Sequence, residues 1–182
     1  MKWSPQDAMK AYLHTLQLCK THFNDQYCTL GTRNLIQPHW MEFISALAAG
    51  NQAKLMVQIT SDQGITPLTI ALAVAAKHTK ARFICILHQL QDIEDCKAQL
   101  SCYNLKDVAE FVHGNPCEII DMNPRGSIVV VSNLERRRNG ASFGEVIKGR
   151  KGVECVTRSI GEGMELTRIG LSCSCLHIQL VG

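Results

Sequence analysis

Apolar positions recur along this chain with two different periods. In the first fifty residues the spacing is three and four. "SPQDAMKAYLHTLQLC" (4–19) opens with a helix-start signal: Ser4 as cap, Pro5 at the first helical position, Asp7 three residues after the cap. Ala8, Tyr12, Leu13, Leu16 and Cys19 then predict one apolar face. Residues 23–36, with Gly31 and scattered polar side chains, read as a loop. "PHWMEFISALAAG" (38–50) predicts a second helix, with Trp40, Phe43, Ile44 and Leu47 on one side and Gly50 as its stop.

From residue 54 the pattern changes to strands separated by helices. Lys54–Ile59 is a short β run. Ile65–His78 predicts a helix with Thr66 as cap and Pro67 at the first position. Its stretch Leu68–Ala76 is apolar nearly all round, which suits a helix pressed between a sheet and other helices. "ARFICIL" (81–87) and "GSIVVV" (126–131) are continuous apolar runs of the kind buried in parallel sheets. Asp92–Leu100 predicts a helix, and Leu105, Val108, Ala109 and Val112 mark a short further one. "VECVTRSI" and "MELTRIGL" flank Gly161–Glu162–Gly163 and predict a terminal antiparallel hairpin. The expected class is α/β: a mostly parallel sheet with an antiparallel edge, preceded by helices. A length of 182 residues suits one domain. Its expected bounds are 1–172, with helices in 1–50, the α/β core in 54–172 and a tail at 173–182.

One interval breaks the layout. "CEIID" (117–121) reads as a strand, yet only "MNPRG" separates it from the strand that follows. Parallel neighbours need a crossover of about a dozen residues or more. Either 117–121 is not a parallel strand, or a central strand–helix unit is missing.

Composition narrows the setting. The net charge of +3 is too small to argue for nucleic acid or a membrane. Nine cysteines without an apolar leader imply reduced thiols and a cytoplasmic protein, with the nucleus left open. No stretch reaches the length of a membrane span. The basic cluster "ERRRNG" (135–140) has no aromatic neighbours, so a solvated loop is expected there and nucleic acid is not. Cys173, Cys175 and His177 make a weak zinc pattern, and no metal is expected. Cys85 and Cys155 read as small core residues.

Five stretches carry a likeness to a known group: "MKWSPQDAMKAYLHTL", "EFISALAAGNQAKLMVQI", "GITPLTIALAVAAKHTKARFICI", "NPRGSIVVVSN" and "GEGMELTRIG". Together they resemble a plant family of uncharacterised proteins with a Rossmann-like fold, related to S-adenosylmethionine-dependent methyltransferases. The resemblance implies a methyltransferase-related three-layer sandwich, and a chain shortened by one central strand–helix unit. A more distant likeness is to small-molecule O-methyltransferases. In those, the first strand ends in an acid followed by a glycine-rich loop that admits the cofactor's methionine part. Here Gln58 stands where the acid would be, Thr60 stands where the first glycine would be, and Gly64 is retained. Gln58 can accept a hydrogen bond but brings no charge. Two readings stay open: a working cofactor loop, or a plain strand-to-helix turn capped by Thr66.

The resemblance also places ribose contacts at the end of the second strand. That strand ends in His88 and Gln89 rather than an acid, and Asp92 and Asp95 read as favourable charge at a helix start. The Asp-Asn metal pair of some O-methyltransferases appears here as Ser132–Asn133, with Asp121 as the only second candidate. The candidate cofactor-binding set is therefore Gln58, Thr60, Ser61, Gly64, Thr66, His88 and Asn133. The implied cofactor is S-adenosylmethionine, the partner a small molecule, and the catalytic residues unassigned. Three functions follow: an adenosylmethionine-binding protein with weak or absent methyl transfer, a non-catalytic ligand-sensing or protein-interaction module, and RNA binding through the basic loop.

Overall fold

The computed structural model describes residues 3–22, 38–59, 65–87, 93–113, 127–132, 154–159 and 164–170. These form helices α1 (Pro5–His22), α2 (Pro38–Gly50), α3 (Pro67–Thr79) and α4 (Ile93–Ser101). The strands are β1 (Leu55–Ile59), β2 (Arg82–Leu87), β3 (Ala109–His113), β4 (Ser127–Ser132), β5 (Glu154–Ser159) and β6 (Met164–Gly170).

The strands make one sheet in the order β3-β2-β1-β4-β6-β5. Strands β1, β2, β3 and β4 are parallel neighbours, while β6 runs antiparallel to both β4 and β5. The class is the expected one, α/β with a mostly parallel sheet, and the β5–β6 pair is the predicted terminal hairpin. Parallel β–α–β connections are right-handed as a rule, and two of them running the same way, β1 to β2 and β2 to β3, put α3 and α4 on one face of the sheet. Helices α1 and α2 pack on each other and on α3. The opposite layer of the expected sandwich, the strand expected at 117–121, the basic loop and the tail all lie outside the described residues.

Each start signal works as its chemistry requires. The Ser4 hydroxyl donates to Asp7 Oδ2 at 2.7 Å, and the Asp7 amide donates back to Ser4 Oγ at 3.4 Å. The Ser4 amide donates to the Gly50 carbonyl at 2.8 Å, which fixes the start of α1 to the end of α2. Helix α3 is buried at every position from Leu68 to Ala76. Beneath it β1 is buried along its whole length. Lys80 closes α3 in the left-handed conformation (φ 55°, ψ 34°), with its amide donating to Ala76 O.

Two expectations need correction. The short helix expected over 105–112 is absent: Ala109–His113 is the third parallel strand, paired residue for residue with Phe83–Leu87. Only Phe111 of that strand is buried, so its sequence carries little of the apolar run that marks a central strand. Pairing with β2 decided the backbone, aided by the Arg82–Glu110 bridge across the pair (2.8 and 3.1 Å). That bridge is exposed and contributes at most about 1 kcal/mol.

The inner faces of α1 and α2 agree only in part: Ala8, Cys19 and Ile44 are buried and Trp40 and Leu47 pack on the core, as expected. Tyr12 (37% exposed) and Leu13 (54%) face solvent, as does Phe43 (45%) on α2. The buried stripe of α1 is Ala8, Ala11, Thr15 and Cys19, set against Ser45, Ala48 and Ala49 among the buried residues of α2. Small residues let two helix backbones approach closely, and hydropathy alone does not register that advantage. A buried hydroxyl chain runs through the seam, with Thr15 donating to Ser45 Oγ at 2.9 Å and Ser45 to Ala11 O at 3.5 Å.

Ile70, fully buried in α3, tests this packing. Ile70→Ala is expected to lower unfolding free energy by about 2–5 kcal/mol in a urea titration, several times the effect of Leu13→Ala on the exposed side of α1.

Candidate functional site

In an open parallel sheet, ligands bind beyond the carboxyl ends of the strands where the strand order reverses direction. Here that point is β1, which has β2 on one side and β4 on the other. The last residues of β1 and the first turn of α3 therefore define the candidate site.

Gln58 is the penultimate residue of β1 and is completely buried. Its Nε2 donates to Thr66 Oγ1 at 3.3 Å, and its Oε1 accepts from the Cys85 thiol at 3.9 Å. Cys85 is its register partner on β2, so the contact follows directly from the strand pairing. Thr66 sits in extended conformation (φ −110°, ψ 165°) and caps α3. Its hydroxyl accepts from the Thr69 amide at 3.3 Å, and its own amide donates to Thr69 Oγ1 at 3.0 Å. The Ile70 amide donates to Thr66 O at 3.2 Å. Pro67 has no amide hydrogen. Thr66 thus leaves Leu68 as the one first-turn donor of α3 that it does not use.

The chemistry of this corner is polar and neutral. A carboxamide, two hydroxyls and a thiol meet, and each is held by protein partners. Gln58, Thr69 and Cys85 are buried, and Thr66 is the half-buried member of the corner. The corner supplies no negative charge for an ammonium group.

Of the predicted site residues, the structure brings Gln58 and Thr66 together. Thr60, Ser61, Gly64, His88 and Asn133 lie outside the described residues. Sequence reasoning missed Thr69 and the polar part played by Cys85. Thr69 was legible in principle, standing three residues after a threonine cap. The Gln58–Cys85 contact was not, because it exists only through strand register.

The other perturbed groups lie away from this corner. Burial, and secondarily the Glu42 carboxylate, push the Cys19 thiol up to about 12. Glu42 is itself buried in α2, and its Oε2 has no hydrogen-bond partner among the described residues. Burial, with a smaller contribution from Cys96, raises Cys85 further still. Among the described residues no three His, Cys, Asp or Glu side chains gather as a metal site, and no helix is long and apolar enough to cross a membrane.

Two experiments follow. Thr66→Ala removes the cap and strands the buried Gln58 amide, so it is expected to cost about 1–3 kcal/mol on denaturation. Gln58→Leu should cost less in that background than in the parent chain, a coupling of about 0.5 kcal/mol or more in a double-mutant cycle. Iodoacetamide at pH 8, followed by peptide mass spectrometry, should label exposed Cys102 well before buried Cys19, Cys85 and Cys96.

A family profile described as protein of unknown function (DUF1442) matches residues 1–121. No curated protein matches the chain. Among solved structures, the chain is similar to the SAH-bound methyltransferase PaMTH1 of Podospora anserina. The two share 11% identity over 92% of this chain and 89% of that one, with a TM-score of 0.52. It is also similar to the cofactor-bound Rv0187 from MTB, at 15% identity over 91% and 90% of the two chains and a TM-score of 0.51. At these identities the likeness is one of fold: the chain has a methyltransferase-like Rossmann architecture.

Proposed function

The chain belongs to the DUF1442 family of proteins of unknown function, and from that premise we propose that it binds S-adenosylmethionine with weak or absent catalysis. The carrying observation is the Gln58–Thr66 corner at the reversal point of the strand order. Two supports stand beside it. The Podospora structure is SAH-bound and the MTB structure is cofactor-bound, both in this fold.

The fit of the corner to that cofactor is partial, and this sets the expected activity. The Leu68 amide and the helix start suit a carboxylate. Thr60, Ser61, Gly64, His88 and Asn133 complete the proposed binding set, with Gly64 as the point of close backbone approach. The ammonium of a bound cofactor would find at Gln58 a carboxamide already bonded at both ends, where an acid would bind it more tightly. When bound, the cofactor supplies an already electrophilic methyl carbon. What this chain would then need to add is alignment of a small acceptor with the departing sulfur. No residue is assigned to that task.

The second reading is a non-catalytic module for ligand sensing or protein interaction. It is favoured by one observation: both ends of the Gln58 carboxamide are already engaged, by Thr66 and Cys85. RNA binding rests on the basic cluster at 135–140 and has less behind it. A steep fall of affinity with salt would mark it. We place the protein in the cytoplasm of a plant cell, and we take the chain to be a shortened relative of the methyltransferases.

Calorimetric titration with S-adenosylmethionine and S-adenosylhomocysteine tests the proposal, with a thermal melt alongside. Micromolar binding that is lost in Gly64→Trp without loss of the cooperative melt is the expected result. A folded chain that takes up neither compound overturns it and leaves the interaction module.

A further inference from the structure

His14, in the middle of α1, and His78, in the last turn of α3, meet across the outer wall of the fold. His14 Nδ1 lies 3.2 Å from His78 Nε2. The rings are 5.3 Å apart, edge to face, at 80°. Both side chains are half-buried. A hydrogen bond between two imidazoles needs one nitrogen to donate and the other to accept. The pair can therefore be neutral, or can share a single proton. With both rings protonated, two donors and two positive charges face each other at hydrogen-bond distance.

The surroundings worsen that state. On α1 the pair faces Lys10 and Asp7, and on α3 it faces Lys77. Asp7 already accepts from Ser4. Lys77 is held in place by donating to Asn104 O at 3.1 Å. From α2, which packs against both helices, the described acid is Glu42, and it stands beside Cys19. The local balance is thus two cations against one engaged carboxylate.

We propose that His14 and His78 form a proton-sensitive clasp that holds α1 against α3, and that mild acidification opens it. The direction follows from the charge state. Burial first, and then the neighbouring positive charges, hold both imidazoles below their ordinary value of about 6.5. The folded chain therefore binds protons less readily than the opened one. The clasp is intact above about pH 6.5, and its contribution is lost as pH falls below that value towards the folded-state values. The group that moves is the covering helix α1, whose release would uncover the apolar outer side of α3. The clasp lies at the opposite end of α3 from the Gln58–Thr66 corner and does not depend on a cofactor there.

Hydrogen exchange by mass spectrometry on the full chain tests it at pH 7.5, 6.5 and 5.5, with rates corrected for intrinsic pH dependence. Protection in α1 is expected to fall with acid by up to about tenfold per pH unit for each histidine, while β1 and β2 keep theirs. In His14→Gln and His78→Gln that pH response should shrink markedly. An identical pH response in both variants overturns the proposal, as does α1 protection that does not change with pH. Should either variant fail to fold, ring-proton NMR of the parent chain decides: two coupled histidines titrating below about 6.5 support the clasp, and ordinary independent titrations refute it.

Discussion

Helix α3 has no side on which it can face water. Nine consecutive residues, Leu68–Ala76, are buried, so the helix is stable only if it is covered all round. The parallel strands β1 and β2 cover one side, and α1 and α2 cover the outside. This explains why the two described helices, α1 and α2, precede the first strand. They are the outer wall of the core, and leaving α3 bare would expose a contiguous apolar surface. It also explains the small residues in the α1–α2 seam, where close approach matters more than side-chain bulk.

The two ends of α3 then acquire different jobs. Its start lies at the carboxyl end of β1, where the Thr66 cap is tied to Gln58 and through it to Cys85 on β2. That tie makes a rigid and uncharged corner at the place where this architecture receives ligands. Its far end carries His78, which meets the covering helix. A single rigid element thus links the ligand corner to the contact that keeps the outer wall in place.

The neutrality of the corner has a chemical consequence. A carboxylate at the end of β1 would attract a cationic ligand group strongly, whereas a carboxamide already bonded at both ends gains little from a newcomer. The methyltransferase-like fold and a weakened site are therefore compatible. The frame depends on α3 and its neighbours, while the binding chemistry depends on a few side chains that can change without disturbing it.

Local sequence was enough for much of this. The caps at Ser4 and Thr66, the stops and the apolar runs of β1, β2 and β4 located nearly every described element, because capping leaves marks within a few residues, as does the burial of β1 and β2. Gln58 and Thr66 were likewise legible as separate candidates on either side of a strand–helix junction, but not the hydrogen bond between them. Three things were settled only by packing. Ala109–His113 is a strand because β2 offers it a partner, not because its own residues demand it. The inner face of α1 is Ala8, Ala11, Thr15 and Cys19 because backbone approach outweighed the larger Tyr12 and Leu13. Cys85 reaches Gln58, and His14 reaches His78, across 27 and 64 residues of chain. No local pattern records such contacts, since they exist only once register and helix crossing have been fixed by the fold as a whole.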